Sequence, residues 1–286
     1  MNKGLVLATT FAYAICTMAQ TDVSLFWRKD SIQLTELVSD EPYLYKKVGH
    51  HGPAIENKFL ALRLYYRDGG AIDVYSKANT DLELSKYHWY PTNEDIEKRG
   101  AGCDEYRVGK TVGLGGIALW DGEKEVKLIA TRGRDARVRK NATSAIIEML
   151  HRGVPYKGDT IDINVRVIMF GAVREALIQA ECISGQKVQF LTGVNYHDGQ
   201  LFDFATGRIA VWGIHPADIV EHPLPIGGAL IYNPTEWSAI EKTSDMLQII
   251  SKPTNMIMTT ITAACSREKE LNNEKAFFDY VKTIAE

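Results

Sequence analysis

The sequence predicts an all-β protein, a large antiparallel β-sandwich closed by one short C-terminal helix. Three observations predict it. Apolar and polar residues alternate at period two through much of the chain, which sends them to opposite faces of strands. Gly, Pro and Asp turns interrupt those runs at short intervals. Helical spacing of three and four appears once, near the C-terminal end.

Taken in order, residues 60–66 form the first clear strand, with Leu60, Leu62, Leu64 and Tyr66 alternating with Ala61, Arg63 and Tyr65. Asp68-Gly69-Gly70 is a turn, and residues 71–76 return. Residues 83–98, with Pro91-Thr92-Asn93 inside them, read as a long irregular loop of the kind that often carries function. Residues 117–120 end at Asp121-Gly122, and residues 126–130 and 144–150 continue the strand set. The clearest unit follows. Ile161, Ile163, Val165, Val167 and Met169 alternate with Asp162, Asn164 and Arg166, then residues 176–182 and 188–196 alternate in turn. Short breaks join these three runs, which predicts an antiparallel meander. Residues 208–215, 228–232 and 256–264 complete the strands. Asn273 can cap the terminal helix, which places Phe277, Tyr280, Val281 and Ile284 on one face.

The chain opens on a secretory pattern. Lys3 supplies the basic start, residues 5–15 are apolar, and Thr17-Met18-Ala19 offers a cleavage site. The expectation is a leader at residues 1–19, cut after Ala19, and one domain over 20–286, exported to the periplasm or beyond. A lipoprotein signal at Cys16 would need a small residue where Ile15 stands. The apolar run falls short of the roughly 20 residues that span a bilayer, and no later segment reaches that length. A formal net charge of −3 gives no basic footprint for nucleic acid. Of four cysteines, Cys103, Cys182 and Cys265 lie beyond the leader, an odd count without a disulfide or zinc pattern. No cofactor or metal is expected, and nothing fixes an oligomeric state.

Several motifs fail on inspection. Gly109-Lys110-Thr111 resembles a phosphate loop, but Asp104 stands where its first glycine belongs and a strand follows instead of a helix. Gly113-x-Gly115-Gly116 fails as a dinucleotide fingerprint for the same reason. Arg67-Asp68-Gly69 reads as a turn, His50-His51 as loop, and Asn141-Ala142-Thr143 as a chance glycosylation pattern. The segment from Cys103 to Lys110 is richer, because an acid, a phenol and two bases fall together. Arg107 or Lys110 could hold a carboxylate there, with Asp104 as acid or base. The ordinary alternative is a solvated strand edge. His197 and His215 close predicted strands, where they can reach a cleft rim and titrate near neutrality. His88-Trp89-Tyr90 places a histidine and two aromatics in the long loop, a combination that suits sugars. Arg63 and Glu148 each interrupt an apolar strand. With Asp162, Arg166 and Glu181 they would line a polar groove if they shared a sheet face.

Several blocks occur together in one order. They are residues 52–57, 60–66 and 71–77, then 108–116 through Trp120-Asp121-Gly122, then residues 153–158, 192–197 and 212–216. As a set they resemble a family of secreted proteins of unknown function from polysaccharide-utilisation loci of Bacteroidota. That family shows a tryptophan-rich segment near its C-terminal end, where this chain has residues 261–265. The resemblance implies a carbohydrate context, often a uronic-acid polymer, and a galactose-mutarotase-like super-sandwich. Its matched blocks contain Asp73, Lys110, His197, Trp212 and His215.

Two functions are therefore expected. The first is an enzyme acting on oligosaccharides, acidic ones above all, through His197 or His215 and Asp104. Arg107 and Lys110 would hold the sugar carboxylate, with Arg63 and Glu148 in the groove. The second is a sugar-binding protein that uses Trp120, Trp212 and His88-Trp89-Tyr90 as a platform. A histidine paired with a carboxylate in one polar cleft would favour the first.

Overall fold

The computed structural model describes residues 20–67, 69–87 and 90–285. The expected leader, Asp68, His88 and Trp89 lie outside them. The chain runs β1 (Thr21–Ser24), β2 (Glu36–Ser39), β3 (Ala54–Asn57), β4 (Ala61–Leu64), β5 (Ile72–Tyr75) and helix α1 (Asn93–Arg99). It continues through β6 (Ala118–Trp120), β7 (Glu125–Val126), β8 (Arg134–Lys140), β9 (Ser144–Tyr156), β10 (Asp159–Phe170) and β11 (Ala176–Cys182). Then come β12 (Gln189–Asn195), β13 (Leu201–Ala205), β14 (Arg208–Gly213), β15 (Ile226–Ile231), β16 (Glu241–Lys242), β17 (Met246–Ile250), β18 (Met256–Cys265) and helix α2 (Glu274–Val281).

Nine strands form one antiparallel sheet in the order β13-β14-β15-β18-β11-β10-β9-β8-β2. Two smaller sheets, β1-β3-β4-β5 and β16-β17-β12-β6-β7, complete the all-β sandwich. Residues 112–114 stitch these two together. Leu114 N–H bonds to Ile72 O and Ile72 N–H to Val112 O, while Leu114 also bridges Val194. The core lies between the layers, where Ile147, Val165, Ile178 and Ile261 of the large sheet meet Leu62, Ile72, Val194 and Leu247 of the small ones.

Period two explains the large sheet well. From Ile161 to Met169 the odd-numbered residues of β10 point inward and are buried, while Asp162, Arg166 and Ile168 face out. β11 pairs with β10 as expected, with Val165 opposite Ala180. The expected third strand of the meander does not follow. β11 pairs on its other edge with β18, and β12 crosses into a small sheet beside β17 and β6. The reason is burial on both faces: Phe190 and Val194 enter the main core, while Leu191 packs with Val112 and Ala118. Alternation showed that residues 188–196 were a strand but carried no information on its partner. Residues 126–130 give only the short β7. The strand expected at 144–150 extends to Tyr156.

The long loop is also corrected. Residues 93–99 form α1, closed by a capping box in which Thr92 accepts from Asp95 N–H and Asp95 accepts from Thr92 N–H. Buried polar groups fasten the segment around it. Glu56 pairs with Lys77 at 2.8 Å and accepts the N–H groups of Glu83 and Leu84. Glu83 in turn accepts from Tyr75 and from Gly102 N–H. The terminal helix forms as expected, with the Asn273 side chain accepting from Ala276 N–H. Its face differs slightly: Phe277, Phe278 and Val281 are buried against Trp212, Ala229 and Ala264, and the Tyr280 hydroxyl donates to Glu175.

Candidate functional site

A cavity of about 330 Å³ opens at the ends of β4 and β5, between the small sheet and the segments at 104–109 and 216–223. That volume is at the small end of the range for ligand pockets, roughly 300–1,000 Å³. Tyr45, Tyr65, Tyr90 and Tyr106 supply aromatic wall, and Arg67, Arg107, Asp104 and Asp218 supply charge.

The cross-strand register builds its base. Arg63 on β4 stands opposite Asp73 on β5. The Arg63 guanidinium binds both Asp73 and Asp104, the latter at 2.5 Å, and the Tyr65 hydroxyl donates to Asp73 at 2.6 Å. Arg63 and Asp73 are fully buried, whereas Asp104 reaches the cavity. Two carboxylates thus share one cation out of water. Burial pushes both carboxyls up against the pull of Arg63; the Asp104 charge raises Asp73 further, and the Asp218 charge raises Asp104. Such a pair titrates as a unit and retains a proton beyond the usual carboxylate range.

Two consecutive residues with left-handed backbone, His50 at φ 51° and His51 at φ 63°, form the adjacent wall. Non-glycine residues there cost of order 1–3 kcal/mol and persist where surroundings fix them. Tyr66 N–H holds the His51 carbonyl at 2.7 Å, and a Cβ on the next residue, Gly52, would lie 2.0 Å from Leu64 O. The turn is therefore clamped against β4. His51 stacks on Tyr45 at 3.8 Å, and its Nδ1 lies 2.8 Å from the Tyr45 carbonyl. A carbonyl only accepts, so Nδ1 carries the hydrogen. Burial, with the charges of Arg63, Arg28 and Arg67, lowers His51 to about 4 and keeps the ring neutral near pH 7.

Tyr90 joins the two groups. Its hydroxyl lies 2.8 Å from His51 Nε2 and also hydrogen-bonds Asp104. One hydroxyl hydrogen cannot serve both a bare Nε2 and a carboxylate. The chain Asp104–Tyr90–His51 is complete only with one further proton, held at either end. The raised carboxyl and the lowered imidazole both favour Asp104 over His51 as its holder. The result is a carboxyl of raised proton affinity at a cavity wall, linked to a hydroxyl and an imidazole.

The rim is tied to the same structure. Arg67 lies over the rings of Tyr45 and Tyr65 and donates to Gly109 O at 2.8 Å. Glu105, beside Asp104 in sequence, accepts from Leu224 N–H at 2.9 Å and from Arg267 at 2.9 Å, anchoring the rim segment.

His197 and His215 meet one another edge to face at 4.7 Å. They hold the backbone of Arg107 from both sides. His215 Nδ1 accepts its N–H at 3.1 Å, and His197 Nε2 is 3.1 Å from its carbonyl. Burial, with His197 nearby, pushes His215 down to about 3. Burial and the Arg107 charge lower His197. Neither ring lines the cavity, whereas Arg107 and Asp104 do. Lys110 and Trp120 line a different hollow with Glu125 and Asp245. Trp212 is buried beneath α2. Glu148, Asp162, Arg166 and Glu181 do share the outer face of the large sheet, but Arg63 belongs to the opposite layer, so the expected five-residue groove does not form. His51, Tyr45, Tyr65 and Arg67 were not singled out in the sequence. The available signal was proximity, since His51 abuts the block starting at Gly52 and Tyr65 and Arg67 flank the Arg63 strand.

Among the described residues, no group of three His, Cys, Asp or Glu side chains converges on a metal position. Cys103, Cys182 and Cys265 are buried and free. No described helix is long and apolar enough to cross a membrane.

The model of the family described as Domain of unknown function (DUF4861) matches residues 10–286. No curated protein matches the chain. Among solved structures the chain is similar to an alpha-N-acetylgalactosaminidase from Bifidobacterium bifidum in its GalNAc complex, with 8% identity and a TM-score of 0.34. The likeness covers 88% of this chain and 38% of that one, so the chain spans well under half of that protein's length.

Proposed function

We propose, from the premise that the chain belongs to the DUF4861 family, that it is an exported carbohydrate-active protein working on acidic oligosaccharides by general acid–base chemistry. Its setting is the breakdown of uronic-acid polymers, for which the resemblance of the sequence blocks and the leader-like residues 1–19 speak. The observation that carries the reading is Asp104 at the cavity wall, its carboxyl raised by burial and linked through Tyr90 to His51, which burial lowers to about 4.

Each part has a task. Tyrosine rings offer apolar faces to a sugar ring, and their hydroxyls and the charged rim meet its hydroxyl groups. Arg107 and Arg67 face a sugar carboxylate, and arginine suits that planar anion. Asp104 gives a proton to the ligand oxygen that becomes the leaving group, or takes one back in the reverse sense. Tyr90 then turns its hydroxyl from His51 Nε2 to the Asp104 carboxylate, while the ring hydrogen of His51 stays at Nδ1 on the Tyr45 carbonyl. Asp73 and Arg63 set the proton affinity of Asp104 from below. His197 and His215 act as positioning residues, because they fix the Arg107 backbone. Hydrolysis, β-elimination and epimerisation can all use this proton transfer.

The test is a product screen on uronic-acid oligosaccharides with the wild type, Asp104→Asn and His51→Gln. The reading expects product from the wild type and losses of about 10²–10⁴-fold in Asp104→Asn. Full turnover by Asp104→Asn would overturn the acid–base assignment. Binding without product in the wild type would favour the second reading, a sugar-binding accessory protein, for which the aromatic wall and paired arginines suffice.

A further inference from the structure

A second hollow of about 540 Å³ is lined by Trp27, Arg28, Lys29, Lys46 and Lys47. Four of its five lining residues are cationic and none is acidic. The fold brings them together deliberately from two segments. Trp27 bridges Val48, and Arg28 N–H bonds to Lys47 O at 2.9 Å, so the two strips lie side by side. Ser31 N–H then folds back on Trp27 O at 2.9 Å, and this tight turn leaves Arg28 and Lys29 exposed. Lys46 and Lys47 are exposed on the neighbouring strip, and Trp27 is half-buried between them. Lys47 pairs with Glu41 at the rim. Like charges gathered around an aromatic ring repel one another, so the arrangement favours an anion that brings its own counter-charge.

The hollow adjoins the cavity. Tyr45, next to Lys46 in sequence, lines the cavity and stacks on His51. Arg28 is close enough to His51 for its charge to act on that imidazole. A ligand that leaves the cavity past Tyr45 would meet the strip that carries Lys46.

We infer that the Trp27 hollow is a remote subsite for an anionic saccharide chain, holding the carboxylated rings beyond the one in the cavity. This inference rests on the acidic-oligosaccharide reading of the cavity and adds chain-length preference to it. Trp27 offers a flat face to a sugar ring, while Lys29, Lys46 and Arg28 meet the carboxylates. An anionic membrane surface is disfavoured by the concave shape of the hollow.

The experiment uses the full chain carrying Asp104→Asn to suppress turnover, with galacturonic-acid dimer, galacturonic-acid hexamer and polygalacturonate as probes. Binding is measured by calorimetry, with and without the charge reversals Lys29→Glu and Lys46→Glu. These are surface positions, and an unchanged melting temperature verifies folding. The hexamer is expected to bind at least about tenfold more tightly than the dimer, as a second engaged site adds to the first. The double reversal is expected to erase that advantage and leave dimer binding unchanged. Raising salt from about 50 to about 300 mM should weaken the hexamer more than the dimer, because exposed charges are screened within a Debye length. A length advantage that survives the reversals overturns the inference, as does a hexamer that binds no better than a binding dimer. If the dimer fails to bind, the cavity reading fails, and polygalacturonate then decides the subsite. Salt-sensitive binding lost on reversal supports it, and unaltered or absent binding overturns it. Binding to phosphatidylglycerol vesicles without binding to polygalacturonate also overturns it.

Discussion

The base of the cavity and the outer face of the nine-stranded sheet hold mirror-image charge clusters. In the cavity, one cation, Arg63, stands between two carboxylates, Asp73 and Asp104. On the outer face, one carboxylate, Glu148, stands between two cations, Arg166 at 2.7 Å and Arg139 at 4.0 Å. Both clusters join cross-strand neighbours, Arg63 with Asp73 and Arg166 with Glu148. The difference is water. Arg63 is 1% exposed, whereas Arg166 and Arg139 are 30% and 63% exposed. Solvent disperses the surplus charge of the outer cluster. The inner cluster has a surplus negative charge with no such outlet, so burial raises the proton affinity of its carboxyls. The same pairing rule thus gives a solvated strand surface in one place and a poised acid in the other.

The widest gap between the two regions is expected from removing the central charge of each. Arg63→Ala leaves two buried carboxylates without their cation, and breaking a buried pair this way costs about 3–5 kcal/mol. Denaturant unfolding monitored by tryptophan fluorescence measures it. If Arg63→Ala costs no more than Glu148→Ala, burial is not what separates the clusters.

Next in size is the effect on pH dependence. Asp73 has a folded value above its unfolded one, chiefly through burial. Its contribution is fully present below the ordinary carboxylate range and is lost as pH rises from there towards neutrality. Asp73→Asn should therefore flatten the fall in stability over that window. Glu148 has the opposite sign. Burial raises it, but the hydrogen bond and charge of Arg166 outweigh this and hold it below the ordinary range. Its contribution is lost as pH falls through the folded value. His51 behaves like Glu148 in direction, because its stability contribution is present above the ordinary histidine value and lost as pH falls towards about 4. Turnover should follow the same groups, declining on the acid side near about 4 and on the alkaline side as Asp104 loses its proton. Equal pH slopes in Asp73→Asn and Glu148→Gln would contradict the assigned signs.

These clusters also show how far the sequence could be read. Arg63 and Glu148 have the same signature, a charge inside an apolar run, and period two assigned both strands. Whether a second layer covers a strand face depends on partners far along the chain, which alternation does not encode. The same limit hid the crossing of β12 into the small sheet. Asp104 was legible because its segment concentrates charge, and Arg107 for the same reason. His51 was not, because a left-handed turn before Gly52-Pro53 looks like any loop until Tyr66 and Tyr90 are brought against it. The α1 helix was legible in principle from Thr92 and Asp95, but an aspartate in the closing position and the nearby Pro91 made the capping box easy to pass over.

The smallest effect is expected at Glu148 itself, and it sharpens the comparison most. Glu148→Gln keeps the shape of the side chain and removes one charge from a cluster with exposed arginines. Surface pairs contribute about 0–1 kcal/mol, and the partial burial of Glu148 argues for the upper part of that range at low salt. Raising salt should shrink the cost further, since Arg166 and Arg139 are open to counter-ions. Arg63 is sealed from solvent, so the cost of Arg63→Ala should change little over the same salt series. Parallel unfolding curves at low and high salt therefore separate the regions by a ratio rather than a single value. A salt-insensitive Glu148→Gln, or a salt-sensitive Arg63→Ala, would mean that solvent access is not the property that distinguishes the acid in the cavity from the pairs on the sheet.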